Sequence, residues 1–280
     1  MSPLISAPQL SALLQDPQAA PVLLDVRWSL GRDDGAALYA AGHIPGAVFV
    51  DLERELSGAP GAQTGRHPLP LPAHFEAAAR RWGINPDSQV VVYDDSGALA
   101  AARAWWLLRH AGFENVAVLD GGLEAYRALP GAALAAGEQH NTPGTVALSW
   151  GRMPVIEFAD LAGFDSTLID SRATARYLGI EEPIDPVAGH IPGARNRPTT
   201  DNLDSQARFL PASQLRAGFA KLGADDGGAA AYCGSGITAA HQVLAAHVAG
   251  IGLALYPGSW SEYCSHPEAP VATSDEQHRH

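Results

Sequence analysis

Lysine is almost missing from this chain: Lys221 is the single one among 280 residues, and arginine supplies the rest of the 18 basic side chains. Against 30 acidic residues they leave a formal net charge of -12, and no basic arm or tract offsets it. Neither nucleic acid nor an anionic membrane surface is therefore an expected partner. Cysteine is nearly as scarce. Cys233 and Cys264 cannot build a disulfide framework or a multi-cysteine zinc site, and neither belongs to a C-x-x-C pair. The eleven histidines include no H-E-x-x-H spacing, so neither a metal nor another cofactor is expected. Long hydrophobic runs are wanting too, since stretches such as Val90 to Val92 fall far short of a bilayer span. The N-terminus, MSPLISAPQLSALLQD, has no basic start followed by an apolar core and a small-residue cleavage site. The cytoplasm is the expected compartment.

What is present, above all, is repetition. LLDVRWSL at 23–30 returns as LIDSRATA at 168–175, and AGHIPGA at 41–47 recurs unchanged at 188–194. YDDSGALAAA at 93–102 is matched by YCGSGITAAH at 232–241, and DGGLEAY at 120–126 by PGSWSEY at 257–263. The offsets between partners are 145, 147, 139 and 137, nearly constant, which means two copies of one domain with small insertions. Each copy alternates short apolar runs with helix-like patterns, for example QVVVYD, then ALAAARAWWLLRHAG, then NVAVLDGG. That alternation indicates βαβ units. The expected fold is α/β, two tandem domains, each a mainly parallel sheet with helices on both faces. Pro130 to Val146 mixes Pro, Gly and polar residues without a hydrophobic period, as a linker does. The domains are accordingly expected at 1–136 and 150–280, joined by a linker over 137–149.

In a parallel sheet the functional edge is the carboxyl end of the strands, where loops enter helices. Cys233 falls there. Gly234, Ser235, Gly236, Ile237 and Thr238 follow it and lead into AAHQVLAAHVAG, whose spacing predicts a helix stopped by Gly250. A thiol reacts as its thiolate and needs positive potential to form it. A loop curled around the sulfur turns successive backbone N–H groups toward it, and the helix N-terminus adds its dipole. A cysteine kept only for packing would not need such a loop, and the first copy would then carry an apolar residue instead of Asp94. Cys264 has no such loop and is expected to be a packing residue.

The twin GHIPGA motifs, the D-x-R starts and the C-G-S-G-I-T loop in the second copy alone resemble the tandem-domain rhodanese family, in particular its 3-mercaptopyruvate sulfurtransferase branch. The resemblance spans about Leu23 to Val271. It implies that Cys233 takes a sulfane sulfur from a small anionic donor, 3-mercaptopyruvate or thiosulfate, and holds it as a persulfide. The sulfur then passes to a thiol, to cyanide or to a thioredoxin-like protein. The first domain would be inactive, with Asp94 at the cysteine position. Arg176 matches the arginine that binds the donor's carboxylate or thiosulfate oxygens, and Gly234, Gly236, Ile237 and Thr238 would complete the substrate loop. By the same resemblance Ser235 works with a histidine and an acid of the first domain, taken as His43 and either Asp33 or Asp34, to move a proton to the leaving enolate. Since His190 holds the same place in the second copy, a purely structural role for His43 is the alternative.

The chain departs from the family in one place. A stretch resembling E-P-E-P-R, which brings a second arginine, reads EEPIDP here, with Asp185 at the arginine's position. The loop points the other way, because thiosulfate-preferring relatives hold C-R-K-G and this chain's C-G-S-G is neutral. The expected donor is 3-mercaptopyruvate, with thiosulfate the alternative. Phosphatases of the same fold carry an arginine six residues after the cysteine, where this chain has Ala239. A non-catalytic persulfide carrier or thiol sensor remains the reading from another class.

Overall fold

The structure is a computed structural model describing residues 2–273. It divides into two compact units. The first comprises the chain up to Gly58, Pro70–Met153 and Asp204–Phe209; the second comprises Ala59–Leu69, Pro154–Leu203 and the chain from Leu210 on. Neither unit is a single stretch of sequence, and the segment 59–69 belongs to the second unit although it lies within the first repeat. The segment expected as a linker is hydrogen-bonded along the first unit: the N–H of Gly144 donates to Arg80 O, that of Val146 to Ile84 O and that of Ser149 to Ala111 O, at 2.8, 3.1 and 2.9 Å.

In the first unit, strands β1 (Leu4–Ile5), β2 (Val22–Asp25), β3 (Ala47–Phe49), β4 (Val90–Tyr93) and β5 (Val116–Leu119) form one parallel sheet of order β1-β5-β4-β2-β3. Every residue of β2, β4 and β5 is buried, which is why they read as unbroken apolar runs and not as alternation. The helix Ala101–His110 buries Trp105 and Trp106. In the second unit, β6 (Leu168–Asp170), β7 (Arg195–Asn196), β8 (Ala230–Tyr232) and β9 (Ala254–Leu255) form a parallel sheet of order β7-β6-β8-β9. β8 reads Ala-Ala-Tyr, weak by propensity. It is nonetheless fully buried and paired on both sides, so tertiary context and not intrinsic preference makes it a strand. The helix Thr238–Val248 follows, and it ends as the sequence predicts, with Gly250 at φ +72° and its N–H donating to His247 O. Among the described residues, no helix is long and apolar enough to cross a membrane.

The structure gives the repeated motifs a physical meaning. Arg27 forks onto Asp25 in its D-x-R and donates to Gly42 O at 2.8 Å; Arg172 does the same with Asp170 and with Gly189 O at 2.6 Å. Those glycines each precede the motif's histidine. His43 stacks on Tyr39 and brings Nδ1 to 3.0 Å from Tyr39 O, and His190 repeats this on Tyr177 at 2.7 Å. The tyrosines donate in turn to Ala47 O and Ala194 O, both at 2.8 Å. D-x-R and GHIPGA are thus two ends of one buried polar clasp that satisfies the backbone of a tight turn, once per unit.

Candidate active site

Cys233 is the first residue after β8 and is 1% exposed. Its N–H donates to Ser259 Oγ at 3.1 Å, and its carbonyl and that of Gly234 accept from the N–H groups of Trp260 and Ser261, both at 2.9 Å. These bonds stitch the loop to the helix Ser259–Tyr263. The chain then curls back until the N–H of Gly236 points at Sγ, 3.1 Å away. Only glycine suits this bend, because Gly236 has φ +80° and a Cβ there would lie 2.2 Å from Pro257 O.

The matching loop of the first unit holds an acid in the cysteine's place. Asp94 is fully buried, and its carboxylate accepts from the N–H groups of Ser96, Ala98, Ala100 and Ala101 at 2.9 to 3.0 Å. Four convergent donors make a nest for an anion. Burial pushes the Asp94 carboxyl above its ordinary range, and those four N–H groups oppose the shift. The carbonyl of Asp94 accepts from Leu123 N–H as that of Cys233 accepts from Trp260 N–H, so the two loops share their anchoring. The first loop directs four N–H groups at a carboxylate; the second directs that of Gly236 at a thiol.

Around Cys233 the second unit gathers a histidine and two arginines. Ser235 Oγ lies 2.8 Å from His67 Nδ1, and both residues are buried. Arg176 donates through Nε and Nη2 to the two oxygens of Glu182, at 3.2 and 2.7 Å, and through Nη2 to Asp185 Oδ2 at 3.0 Å. Asp185 also receives Arg66 Nη1 on its other oxygen. Burial works against the charge of Glu182, but the Arg176 bond and the N–H groups of Asp185 and Ile184 outweigh it and hold its pKa below the usual range. A Cβ added to Gly234 would meet Arg66 Nη2 at 3.2 Å and Arg176 Nη1 at 3.6 Å, so both guanidiniums flank the residue next to Cys233. Among the described residues, no group of three or more His, Cys, Asp or Glu side chains could hold a metal ion.

The Rhodanese-like domain matches this chain twice, over residues 6–129 and 156–266. The chain belongs to the rhodanese family. A Pseudomonas aeruginosa protein is 47% identical over 283 residues, covering 97% of this chain and 98% of its own, and is provisionally named 3-mercaptopyruvate sulfurtransferase. A Mycobacterium tuberculosis protein, 45% identical over 276 residues and covering 96% of both chains, is provisionally named thiosulfate sulfurtransferase. Among solved structures, the 3-mercaptopyruvate sulfurtransferase from Leishmania major superposes with a TM-score of 0.82 at 29% identity, over 93% of this chain and 73% of that one.

Within this rhodanese the expected site residues fall into two groups. Cys233, Gly234, Ser235, Gly236, Ile237 and Thr238 form the loop and the start of its helix, and Arg176 lies beside Gly234. His43 does not partner Ser235: its ring is committed to Tyr39 inside the clasp, and the histidine at Ser235 is His67. Asp34 is half-buried and pairs with Arg32, and Asp33 is exposed. Arg172 is committed to Asp170 and Glu182, Arg197 lies over the Phe219 ring and donates to Asn202, and Arg195 is exposed on β7. Cys264 is half-buried, and burial foremost, with the nearby Asp185 charge adding to it, pushes its thiol up to about 12. The motif reading missed Arg66 and His67. One signal for them existed: the repeat offset falls from 147 to 139 between GHIPGA and the loop, so the first copy carries extra residues there. That stretch contains GRHPLP, which has no counterpart in the second copy.

Proposed function

We propose that this is a cytoplasmic sulfurtransferase that moves a sulfane sulfur from 3-mercaptopyruvate, through a persulfide on Cys233, to a thiol or thioredoxin-like acceptor. The reading is carried by the comparison of the two loops. At the same place after its strand and with the same carbonyl anchoring, the first loop holds a carboxylate with four N–H groups at Asp94 and the second turns the Gly236 N–H onto Cys233 Sγ, where the anion to be held is first a thiolate and then a terminal sulfur. In the first half-reaction the Cys233 thiolate attacks the donor's thiol sulfur. The S–S bond forms, the S–C bond breaks, and its electron pair stays on the three-carbon fragment as the enolate of pyruvate. The proton from the donor thiol ends on that fragment's carbon, giving pyruvate and a Cys233 persulfide anion. In the second half-reaction an acceptor thiolate takes the outer sulfur and Cys233 leaves as thiolate. Ser235 and His67, 2.8 Å apart beside the loop, are the groups placed to carry the proton between donor sulfur and enolate.

The choice of donor is supported by charge. Arg66 and Arg176 are balanced by Glu182 and Asp185, and the loop residues Gly234 and Ser235 are neutral, so the site suits a monocarboxylate better than a dianion. Thiosulfate is the second reading, favoured by the name of the Mycobacterium tuberculosis relative. Release of pyruvate and of thiocyanate should be measured with each donor and cyanide as common acceptor; higher kcat/KM for 3-mercaptopyruvate is expected. Mass spectrometry after donor treatment should find one extra sulfur on the Cys233 peptide, Cys233→Ser should abolish transfer and Cys264→Ser should retain most of it. Sulfur carried on Cys264 would overturn the assignment, and loading of Cys233 without turnover would make the protein a carrier.

A further inference from the structure

Asp185 is an acid where an anionic substrate is to bind, and its surroundings explain how the site tolerates it. Its carboxylate is 1% exposed and is divided between two guanidiniums, with Oδ1 on Arg66 Nη1 and Oδ2 on Arg176 Nη2. Arg66 thus gives Asp185 its Nη1, and Arg176 shares its Nη2 between Asp185 and Glu182, which also takes its Nε. Arg176 Nη1 and Arg66 Nη2 lie on the Gly234 side, and Arg66 Nε is buried without a hydrogen-bond partner. A buried guanidinium N–H left unpaired is costly unless something binds it. The backbone holds Arg66 in place: its N–H donates to Ser261 Oγ at 3.1 Å, and Gly65, at φ +72°, lies so close to Gly258 O that a Cβ would approach within 2.6 Å.

We infer that Arg66 is a substrate-binding residue that joins Arg176 in gripping the carboxylate of the sulfur donor, and that Asp185 is the positioning residue that turns both guanidiniums toward the Cys233 loop. This rests on the proposed donor, a 2-oxo carboxylate bearing a thiol. Two forked guanidiniums with spare N–H groups on one side of Gly234 hold such a carboxylate by charge-assisted bonds. They leave the donor's C3 sulfur at the end of the molecule remote from the grip, facing Cys233. The arginine absent from EEPIDP is thus supplied from the segment 59–69, and the acid in its place anchors the substitute.

The test uses the full chain with 3-mercaptopyruvate as donor and pyruvate, which lacks the sulfur, as a competitive inhibitor. Arg66→Ala should raise the donor KM and the pyruvate Ki together by about tenfold or more, as loss of a charge-assisted bond made to bound substrate does, with kcat changed far less. Arg66→Lys, which keeps the charge but not the fork, should recover part of the loss, and it serves as the second variant if Arg66→Ala folds poorly. Asp185→Asn should raise the same two constants with both arginines still present. The exchange Arg66→Asp with Asp185→Arg should bind better than Arg66→Asp alone, because a guanidinium again stands beside Arg176. A folded Arg66→Ala protein with unchanged KM and Ki overturns the inference, as does a loss confined to kcat. An unsubstituted protein that releases no pyruvate overturns the donor reading itself, which is a separate result from any change at Arg66.

Discussion

Gly236→Ala is the substitution that most directly tests the loop geometry. At φ +80° a side chain costs about 1–2 kcal/mol for the left-handed backbone alone. The new Cβ would also sit 2.2 Å from Pro257 O and 3.0 Å from Pro257 C, backbone atoms that cannot rotate away. Overpacking of this kind adds about 1–3 kcal/mol. The sum, about 2–5 kcal/mol, corresponds to a fall in Tm of roughly 5–20 °C for a chain of this size. Relief of the clash has to move Gly236 away from Pro257, and with it the N–H that points at Sγ, so sulfur transfer should fall even well below the melting temperature. Gly234→Ala is the control. Its Cβ meets only the ends of two flexible side chains, Arg66 Nη2 and Arg176 Nη1, so it should melt close to the parent while its donor KM rises. Thermal melts by circular dichroism and pyruvate release on the same preparations provide both readouts. A Gly236→Ala protein that melts within about 2 °C of the parent and still transfers sulfur would refute the account of the loop.

The two histidines should separate cleanly. His67→Ala should lower kcat for pyruvate release by about a hundredfold or more, as loss of a proton-transfer group does. His43→Ala should instead lower Tm, by removing a buried ring from the clasp with Tyr39, and leave kcat near the parent; the reverse pattern would return the relay to His43. Glu182 carries a pH dependence of known sign. Its folded pKa lies below the unfolded value of about 4.3, so its contribution to stability is complete above that value and is lost as pH falls through the lower folded one. Urea melts of the parent and Glu182→Gln should therefore differ most at neutral pH and converge as the medium is acidified; a gap that widens toward acid would contradict the pairing with Arg176.

Much of this protein was legible in local sequence. A repeat at nearly constant offset reports two copies of one domain, and short apolar runs alternating with helical patterns report a parallel sheet, because both are properties of neighbouring residues. The Cys233 loop was legible for the same reason, since glycine at a fixed distance after a strand is a statement about backbone dihedrals. The role of D-x-R was not, and that of GHIPGA stood only as an alternative, raised by the recurrence of its histidine in both copies. Their histidines and arginines look chemical in isolation, and only the structure shows Arg27 on Gly42 O and His43 on Tyr39, closing a turn. His67 and Arg66 lay further out of reach. They meet Ser235 and Asp185 across 168 and 119 positions of sequence, from a segment with no periodicity of its own that belongs to the second unit. Backbone turn chemistry is set by a few adjacent residues, whereas which side chain completes a site depends on where the whole chain brings a loop, and that is decided by packing far from either partner.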